Sequence, residues 1–262
     1  MLVFNSINIA PYSRNAFSIT WDFDVSADDT ISLYSLNIYR SECQEGPFDF
    51  VYSPSVTVNS YIDPTVNTLS KNRFYFYKVR ATALDDSTSY ESDIESVQST
   101  PDLIALDILR RERLLLKRYI KTKCYFYLAR TFGVRCLNCW DDIKQRRTRS
   151  KCNVCYGTGF ERGFFDPIPG YINIDPSALV VQPSNIGPIQ KSECSAFTTN
   201  YPWLKVADYV FEVETGKRWS ITQIGYNEKT RFVTKQLLRL SQESRGSIIQ
   251  DIQLPSIWTE PW

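Results

Sequence analysis

A mainly β fold with one central helix is what this sequence predicts, on three observations. Period-two apolar alternation runs through the first hundred residues, broken by clusters of turn-forming residues. One stretch near residues 102–121 carries the helical period instead. Four cysteines, Cys136, Cys139, Cys152 and Cys155, form two C-x-x-C pairs with twelve residues between the inner two. Together these divide the 262 residues into a β-sandwich over 1–100, a basic amphipathic helix and linker over 101–123, a four-cysteine module over 124–165, and a C-terminal small β-barrel or β-sheet domain over 166–262.

The first domain rests on Phe17-Ser-Ile-Thr-Trp21, Ser35-Leu-Asn-Ile-Tyr39 and Phe74-Tyr-Phe-Tyr-Lys-Val-Arg-Ala81, each placing alternate apolar residues on one face. Turn clusters at Ala27-Asp-Asp, Ser53-Pro, Asp63-Pro, Ser70-Lys-Asn and Asp85-Asp-Ser separate them, the spacing of a sandwich. Trp21, Tyr61-Ile-Asp-Pro64, Leu69 and Tyr75-Phe-Tyr77-Lys-Val79-Arg-Ala81 resemble a fibronectin type III domain. That resemblance implies a Trp packed between two sheets and a Tyr on the penultimate strand that caps a corner. Cys43 reads as a loop or edge thiol.

Thr100-Pro101-Asp102 has the form of a helix start, with Thr as N-cap, Pro at the first position and Asp in the first turn. Two apolar series follow at helical spacing: Ile104, Ile108, Leu115 and Tyr119, and Leu106, Leu109, Leu116 and Ile120. The second half of the helix is basic, with Arg110, Arg111, Arg113, Lys117, Arg118 and Lys121. These cations either lie as a solvated face with their stems over apolar neighbours, or contact nucleic acid or an acidic subunit. Residues 1–109 hold 6 basic and 15 acidic side chains, a net of −9. Residues 110–151 hold 14 and 3, a net of +11, and residues 152–262 hold 10 and 11, a net of −1. A basic block between an acidic front and a neutral back suggests a surface that meets something acidic.

Cys124-Tyr-Phe-Tyr-Leu-Ala-Arg130 reads as a short strand leading into the cysteine segment, with Cys124 as core. A C-x-x-C hook turns two thiolates toward one point, and two hooks supply four soft ligands, the set tetrahedral zinc takes. Four thiolates close the coordination shell, so the expected Zn2+ is structural. Gly157 and Gly159 follow the second hook, where a ligand loop calls for positive φ. Disulfides are disfavoured because thiols stay reduced in the cytosol, and the N-terminal MLVFNSINIAPYSRN lacks the basic-then-apolar form of a secretory signal. No apolar run reaches the roughly 18 residues of a membrane helix, so the expectation is a soluble protein with no membrane partner. Between the hooks, Lys144-Gln-Arg-Arg-Thr-Arg-Ser-Lys151 is a basic loop of the kind that can bind phosphates. Cys152-Asn-Val-Cys155-Tyr-Gly-Thr-Gly159 resembles one repeat of the cysteine-rich region of DnaJ-type chaperones. That resemblance implies zinc; it does not imply chaperone function, because only one full repeat and no J-domain signature are present.

Residues 164–205 are proline-rich, with short strands expected at Gly170–Ile174 and Leu179–Gln182. Cys194 takes no assigned role. Asp208–Glu214 and Lys217–Tyr226 read as strands joined by a tight turn at Thr215-Gly216. Asn227–Thr230 turns into a third strand, Arg231–Leu240, and Ser247–Leu254 reads as a fourth. Trp258 and Trp262 of the tail are candidate interface anchors, or pack on their own domain.

Enzyme classes are largely excluded. The chain has no histidine, the commonest general base, so Ser-His-Asp, Cys-His and HExxH arrangements are absent. Neither a phosphate-binding P-loop nor a dinucleotide-binding glycine motif is present. Asp85-Asp86 and Asp141-Asp142 are sequence neighbours in turn contexts, which does not make an acid/base pair. The expectation is therefore a protein with no catalytic residues and no small-molecule substrate.

Phe132-Gly-Val-Arg-Cys136-Leu-Asn-Cys139-Trp-Asp and Arg149-Ser-Lys-Cys152-Asn-Val-Cys155-Tyr-Gly-Thr-Gly-Phe160 resemble a segment of virion proteins of tailed bacteriophages. The run from Leu204-Lys-Val-Ala-Asp208 through Gly216-Lys-Arg-Trp-Ser-Ile221 to Leu237-Leu-Arg-Leu240 is similar to the small β units of phage head–tail connector and stopper proteins. The resemblance, over roughly residues 100–255, implies a non-enzymatic, ring-forming neck component of the virion, assembled in the host cytoplasm, with baseplate or tail as alternative positions. Its partners would be further copies of itself and other virion proteins, with DNA a candidate for the basic segment 110–151. A zinc-dependent nucleic-acid-binding protein is the alternative from a different class.

Overall fold

The computed structural model describes residues 2–25, 34–67, 73–84, 88–97, 102–141, 143–144, 146–149, 151–175, 182–184, 187–189, 193–229 and 232–261. In chain order the elements are β1 (Leu2–Ser13), β2 (Ala16–Val25), β3 (Tyr34–Ser41), β4 (Asp49–Tyr52), β5 (Ser60–Asp63), β6 (Phe76–Ala83), β7 (Ser89–Glu91), β8 (Glu95–Ser96), α1 (Leu103–Leu115), β9 (Lys123–Tyr127), β10 (Trp140–Asp141) and β11 (Arg146–Arg147). They continue with β12 (Ile168–Tyr171), β13 (Asn173–Asp175), β14 (Gln182–Ser184), β15 (Gly187–Ile189), β16 (Glu193–Thr199), β17 (Tyr209–Glu212), β18 (Arg218–Lys229) and β19 (Phe232–Gln242). Among the described residues the fold is mainly β with one α-helix. The chain forms two units, Met1–Pro101 with Arg130–Phe165, and Asp102–Ala129 with Asp166–Trp262.

In the first unit, one antiparallel sheet has the order β1-β2-β5 and another the order β4-β3-β6-β7, with β8 also on β6. Alternation places Phe17, Ile19, Trp21 and Phe23 of β2, Leu36 and Ile38 of β3, and Tyr77, Val79 and Ala81 of β6 in the core. The sheets meet there: Phe17 packs edge-on against Tyr75 and Tyr77 at 6.1 and 6.4 Å between centroids. Each such buried side chain contributes about 1.5–3 kcal/mol.

A buried polar knot joins the same sheets. The Tyr77 hydroxyl donates to Asp63 Oδ2 at 2.9 Å, Arg40 Nη1 donates to the same oxygen at 2.7 Å, and Thr65 donates to Oδ1 from its backbone and its hydroxyl. Burial opposes ionisation of Asp63, but the Thr65 and Tyr77 hydrogen bonds and the Arg40 charge together hold its carboxyl below the usual range. Burial pushes the Tyr77 phenol up, and the neighbouring carboxylate adds to that shift.

In the second unit, seven strands pair in the order β12-β9-β17-β18-β19-β16-β13. The two edge strands, β12 and β13, are consecutive in the chain, with only Ile172 between them. One bent segment, 168–175, therefore supplies both edges and the sheet closes on itself; Ile172 donates from its backbone to Thr122 at 3.2 Å at the bend. Register puts Cys124, Phe126, Val210, Trp219, Ile221, Leu238, Leu240 and Cys194 on the inner face, all buried. Gly170 is required inside, because a Cβ there would stand 2.4 Å from the Phe126 ring. Asp208 is buried as well and accepts from the Ala129 and Lys205 backbone N–H groups at 2.8 and 2.6 Å. Burial outweighs those donors and pushes its carboxyl up to about 7.

Several sequence expectations change here. The N-cap is Asp102, whose side chain accepts from Ile104 N at 3.2 Å; Thr100 and Pro101 lie outside the described residues. After α1 the chain widens into a π-type turn over Leu116–Ile120 and stops at Lys121 with φ 59°. Of the two apolar series, Leu106, Leu109 and Leu116 are core, whereas Ile104, Leu115 and Tyr119 are exposed. The segment around Cys124 does not belong with the hooks: β9 pairs with β12 and β17 in the closed sheet. The strand expected at Ser247–Leu254 is a 3-10 turn over Ile248–Asp251, capped by Ser247. Arg218 dictates that shape by donating to the Ile249 and Ile252 carbonyls. Trp258 packs on its own unit, edge-on to Tyr171 at 5.2 Å and under Lys123. Trp262, Leu69, the strand residues 179–181 and the turns 27–29, 70–72 and 85–86 lie outside the described residues.

Candidate metal centre

Each hook folds by the same local rule. Backbone N–H groups after the first cysteine of a pair turn back on its carbonyl: Cys139 and Trp140 donate to Cys136 O at 3.3 and 2.9 Å, and Tyr156 donates to Cys152 O at 2.8 Å. This winding points both thiols of a pair to one side. Gly157 and Gly159 take φ 86° and 88°, as their positions after the second hook led one to expect. The hooks are tied together by Cys136 N donating to Gly159 O at 2.9 Å and by a bridge between Arg135 and Phe160.

The result brings together all four sequence-predicted ligands. Cys136, Cys139, Cys152 and Cys155 are each at most 6% exposed, and their Sγ atoms all lie within 4.8 Å of one another. Cys136 and Cys152 Sγ are 3.8 Å apart, and Cys139 and Cys155 Sγ 3.2 Å. A tetrahedron of sulfurs with metal–sulfur bonds of about 2.3 Å has edges of about 3.8 Å. The cluster is thus of a size to hold one metal ion on four thiolates.

Donors near the sulfurs fit the same role. Burial raises the Cys136 thiol despite the Asn138 N–H. Burial acts the same way on Cys152, but there the backbone N–H groups of Cys155 and Val154, together with the neighbouring thiols, outweigh it and bring the thiol down to about 7. Cys139 is pushed well up by burial and by the adjacent sulfurs. Four buried thiols packed this closely are a poor arrangement without a cation and a good one around it, since a metal replaces the protons.

Residues that spacing did not reveal complete the module. The Arg135 guanidinium lies between the Trp140 ring and the Phe160 ring, 4.0 and 4.2 Å from their centroids. Its signal was only adjacency to the first hook. Gly163, with φ 66°, passes so close to the second hook that a Cβ would stand 2.6 Å from Cys155 O. Phe132 stacks on Phe23 of β2 at 4.0 Å and 22°, and leans on Phe165 at 4.7 Å. Thr131 Oγ1 donates to Asp22 Oδ1 at 2.7 Å. The hooks therefore share a hydrophobic core with the N-terminal sheets, within one unit.

The remaining candidates go elsewhere. Asp141 caps the inter-hook hairpin by accepting from Ile143 N and Lys144 N, both at 3.1 Å; Asp142 and the Asp85-Asp86 pair lie outside the described residues. Cys124 and Cys194 are buried on the inner face of the closed sheet, and Cys43 is exposed. Among the described residues, no helix is long and apolar enough to cross a membrane.

No protein-family model matches the chain. Ninety of its residues, 34% of the chain, are 30% identical to part of an amylopullulanase from Thermoanaerobacter thermohydrosulfuricus. The matching part is 6% of that enzyme, so the likeness extends over a small fraction of the relative's length.

Proposed function

We propose that this chain is a non-enzymatic structural component of a tailed-phage virion. In this reading it is a ring-forming neck, or head–tail connector, subunit whose cysteine module is held by one structural zinc ion. The observation that carries the proposal is the buried four-thiol cluster, joined through Phe132 to the sheets of β2. Soft thiolates at tetrahedral spacing suit zinc, and four of them leave no position for a substrate. Such a site fixes shape. The module it fixes has few apolar residues of its own beyond Phe132, Phe160, Phe164 and Phe165, the situation in which a metal supplies folding free energy.

The finer assignments have separate support. The orders β1-β2-β5 and β4-β3-β6-β7, Trp21 buried between sheets, and Tyr77 anchored on Asp63 support a fibronectin type III-like domain. The closed sheet supports the likeness to small connector β units. Heterologous contacts between side-chain surfaces of neighbouring subunits close rings.

Native mass spectrometry of the metal-loaded chain, with proteomics of purified virions, tests the proposal. The expected result is a closed homo-oligomer with one zinc per subunit and the chain present in particles, where a particle map reads neck against baseplate or tail. A chain that stays monomeric and is missing from virions would overturn the assembly reading while leaving the metal reading standing.

A further inference from the structure

The basic segment is divided between the two units. Three of its six helical cations are engaged, while Arg110, Arg118 and Lys121 are exposed: Arg111 pairs with Asp107 at 2.8 Å, Lys117 with Glu260 at 2.8 Å, and Arg113 donates to Asn200 at 3.2 Å. In the cysteine module, Arg130 is buried and donates to Phe164 O, and Arg135 is held between two rings. The inter-hook hairpin differs. Among the described residues, Arg146, Arg147, Arg149 and Lys151 are all exposed and form no ion pair, and Asp141 is occupied by backbone donors and a long contact to Lys144, while Asp142 lies outside the described residues.

We propose that this hairpin, β10 and β11 with Arg149 and Lys151 beyond them, is a binding site for duplex DNA, entering the major groove with phosphates on either side. This inference does not depend on the virion assignment. Three features of the hairpin favour that partner. First, cations stand on both faces of the ribbon. Arg147 lies opposite Trp140 and packs its stem toward Gly159, whereas Arg146 lies opposite Asp141 on the other face. A flat acidic protein surface would meet only one of those faces; a groove has two phosphate walls. A two-stranded ribbon also fits the B-form major groove, about 12 Å wide, and is excluded from the narrow major groove of duplex RNA.

Second, the hairpin offers no stacking platform for unpaired bases. Its only ring, Trp140, is already covered by Arg135, so single strands are a poorer match. Third, the ribbon is braced: Thr148 donates to Cys139 O through both its backbone N–H at 2.8 Å and its hydroxyl at 3.0 Å, which fastens it to a metal ligand. Ile143 is 96% exposed, an apolar side chain near these cations. Contacts to phosphate carry no sequence information, so the binding is expected to be sequence-independent.

The test is fluorescence anisotropy of the full, metal-loaded chain with a labelled DNA duplex of about 20 base pairs across salt, with duplex RNA and polyglutamate as competitors. Four phosphate contacts give a log–log salt slope of about −3.6, and hence about a 150-fold loss of affinity between about 50 and about 200 mM salt. Arg146→Gln with Arg149→Gln removes two contacts, and the slope falls to about −1.8, about a 12-fold loss over the same range. Metal content and circular dichroism, unchanged in the variant, show that the fold is retained; Lys151→Gln alone lowers the slope by about 0.9. The proposal is overturned by absence of DNA binding, by a slope that the hairpin variants leave intact, or by a slope that Arg110→Gln with Arg118→Gln reduces instead. Equal competition by polyglutamate at matched charge, or equal affinity for duplex RNA, overturns it too.

Discussion

Replacing Phe132 with Ala would test whether the cysteine module and the N-terminal sheets are one cooperative unit. Phe132 is 1% exposed, stacked on Phe23 at 4.0 Å and in contact with Phe165 at 4.7 Å. Truncating a ring buried this deeply costs about 3–5 kcal/mol, the transfer of its atoms plus the cavity left behind. Spread over the first unit, that loss lowers slow-exchanging amide protection by roughly 10²- to 10⁴-fold, at about 1.4 kcal/mol per tenfold. Hydrogen exchange by mass spectrometry on the full chain reads it regionally. The expected pattern is loss of protection in β2, β3 and β6 together with residues 132–165, while β9, β17 and β19 of the second unit keep theirs. Phe132→Leu is the milder companion, and a cycle with Phe23→Leu is expected to show about 0.5–1.5 kcal/mol of coupling. Protection lost in residues 132–165 alone, with β2, β3 and β6 as in wild type, would refute the shared core.

The Asp63 knot makes stability depend on acid. Its carboxyl is held below the ordinary value, so the folded state binds fewer protons than the unfolded chain; the stabilisation is complete above about pH 4 and is lost as pH falls through the folded value. Tyr77→Phe removes one donor to that carboxylate, which should cost about 1.5–3 kcal/mol and move the acid-side loss to higher pH. Urea midpoints measured against pH check this, and superimposable acid limbs for wild type and variant would contradict it. Gly163→Ala forces a side chain into φ 66° against Cys155 O and should weaken metal retention by about 1–3 kcal/mol, roughly 5- to 150-fold in chelator competition. An unchanged competition curve would show that the loop does not set the second hook.

What could be read from the sequence was mostly local. The four cysteines were legible because a C-x-x-C hook is built by its own backbone, and the sheets of the first hundred residues because one-sided burial leaves period-two alternation in β2, β3 and β6. The helix was legible from its period, but not which apolar series would be buried, since that depends on β16 and β19 far along the chain. β9 was misplaced with the hooks because it is buried on both faces, which erases alternation. The 3-10 turn at Ile248–Asp251 is held by Arg218, thirty residues upstream, and its local mark is the capping Ser247. Phe132 and Arg135 look like ordinary flanking residues until the fold brings Phe23, Trp140 and Phe160 beside them.

The central claim is that four sulfurs hold one ion. Elemental analysis of the purified full chain, with thiol titration before and after chelation, tests it most directly. The expected result is one zinc per chain, with Cys136, Cys139, Cys152 and Cys155 shielded from a thiol reagent until the metal is stripped, and Cys43 reactive throughout. A metal-free chain whose four hook thiols react as readily as Cys43 would contradict it.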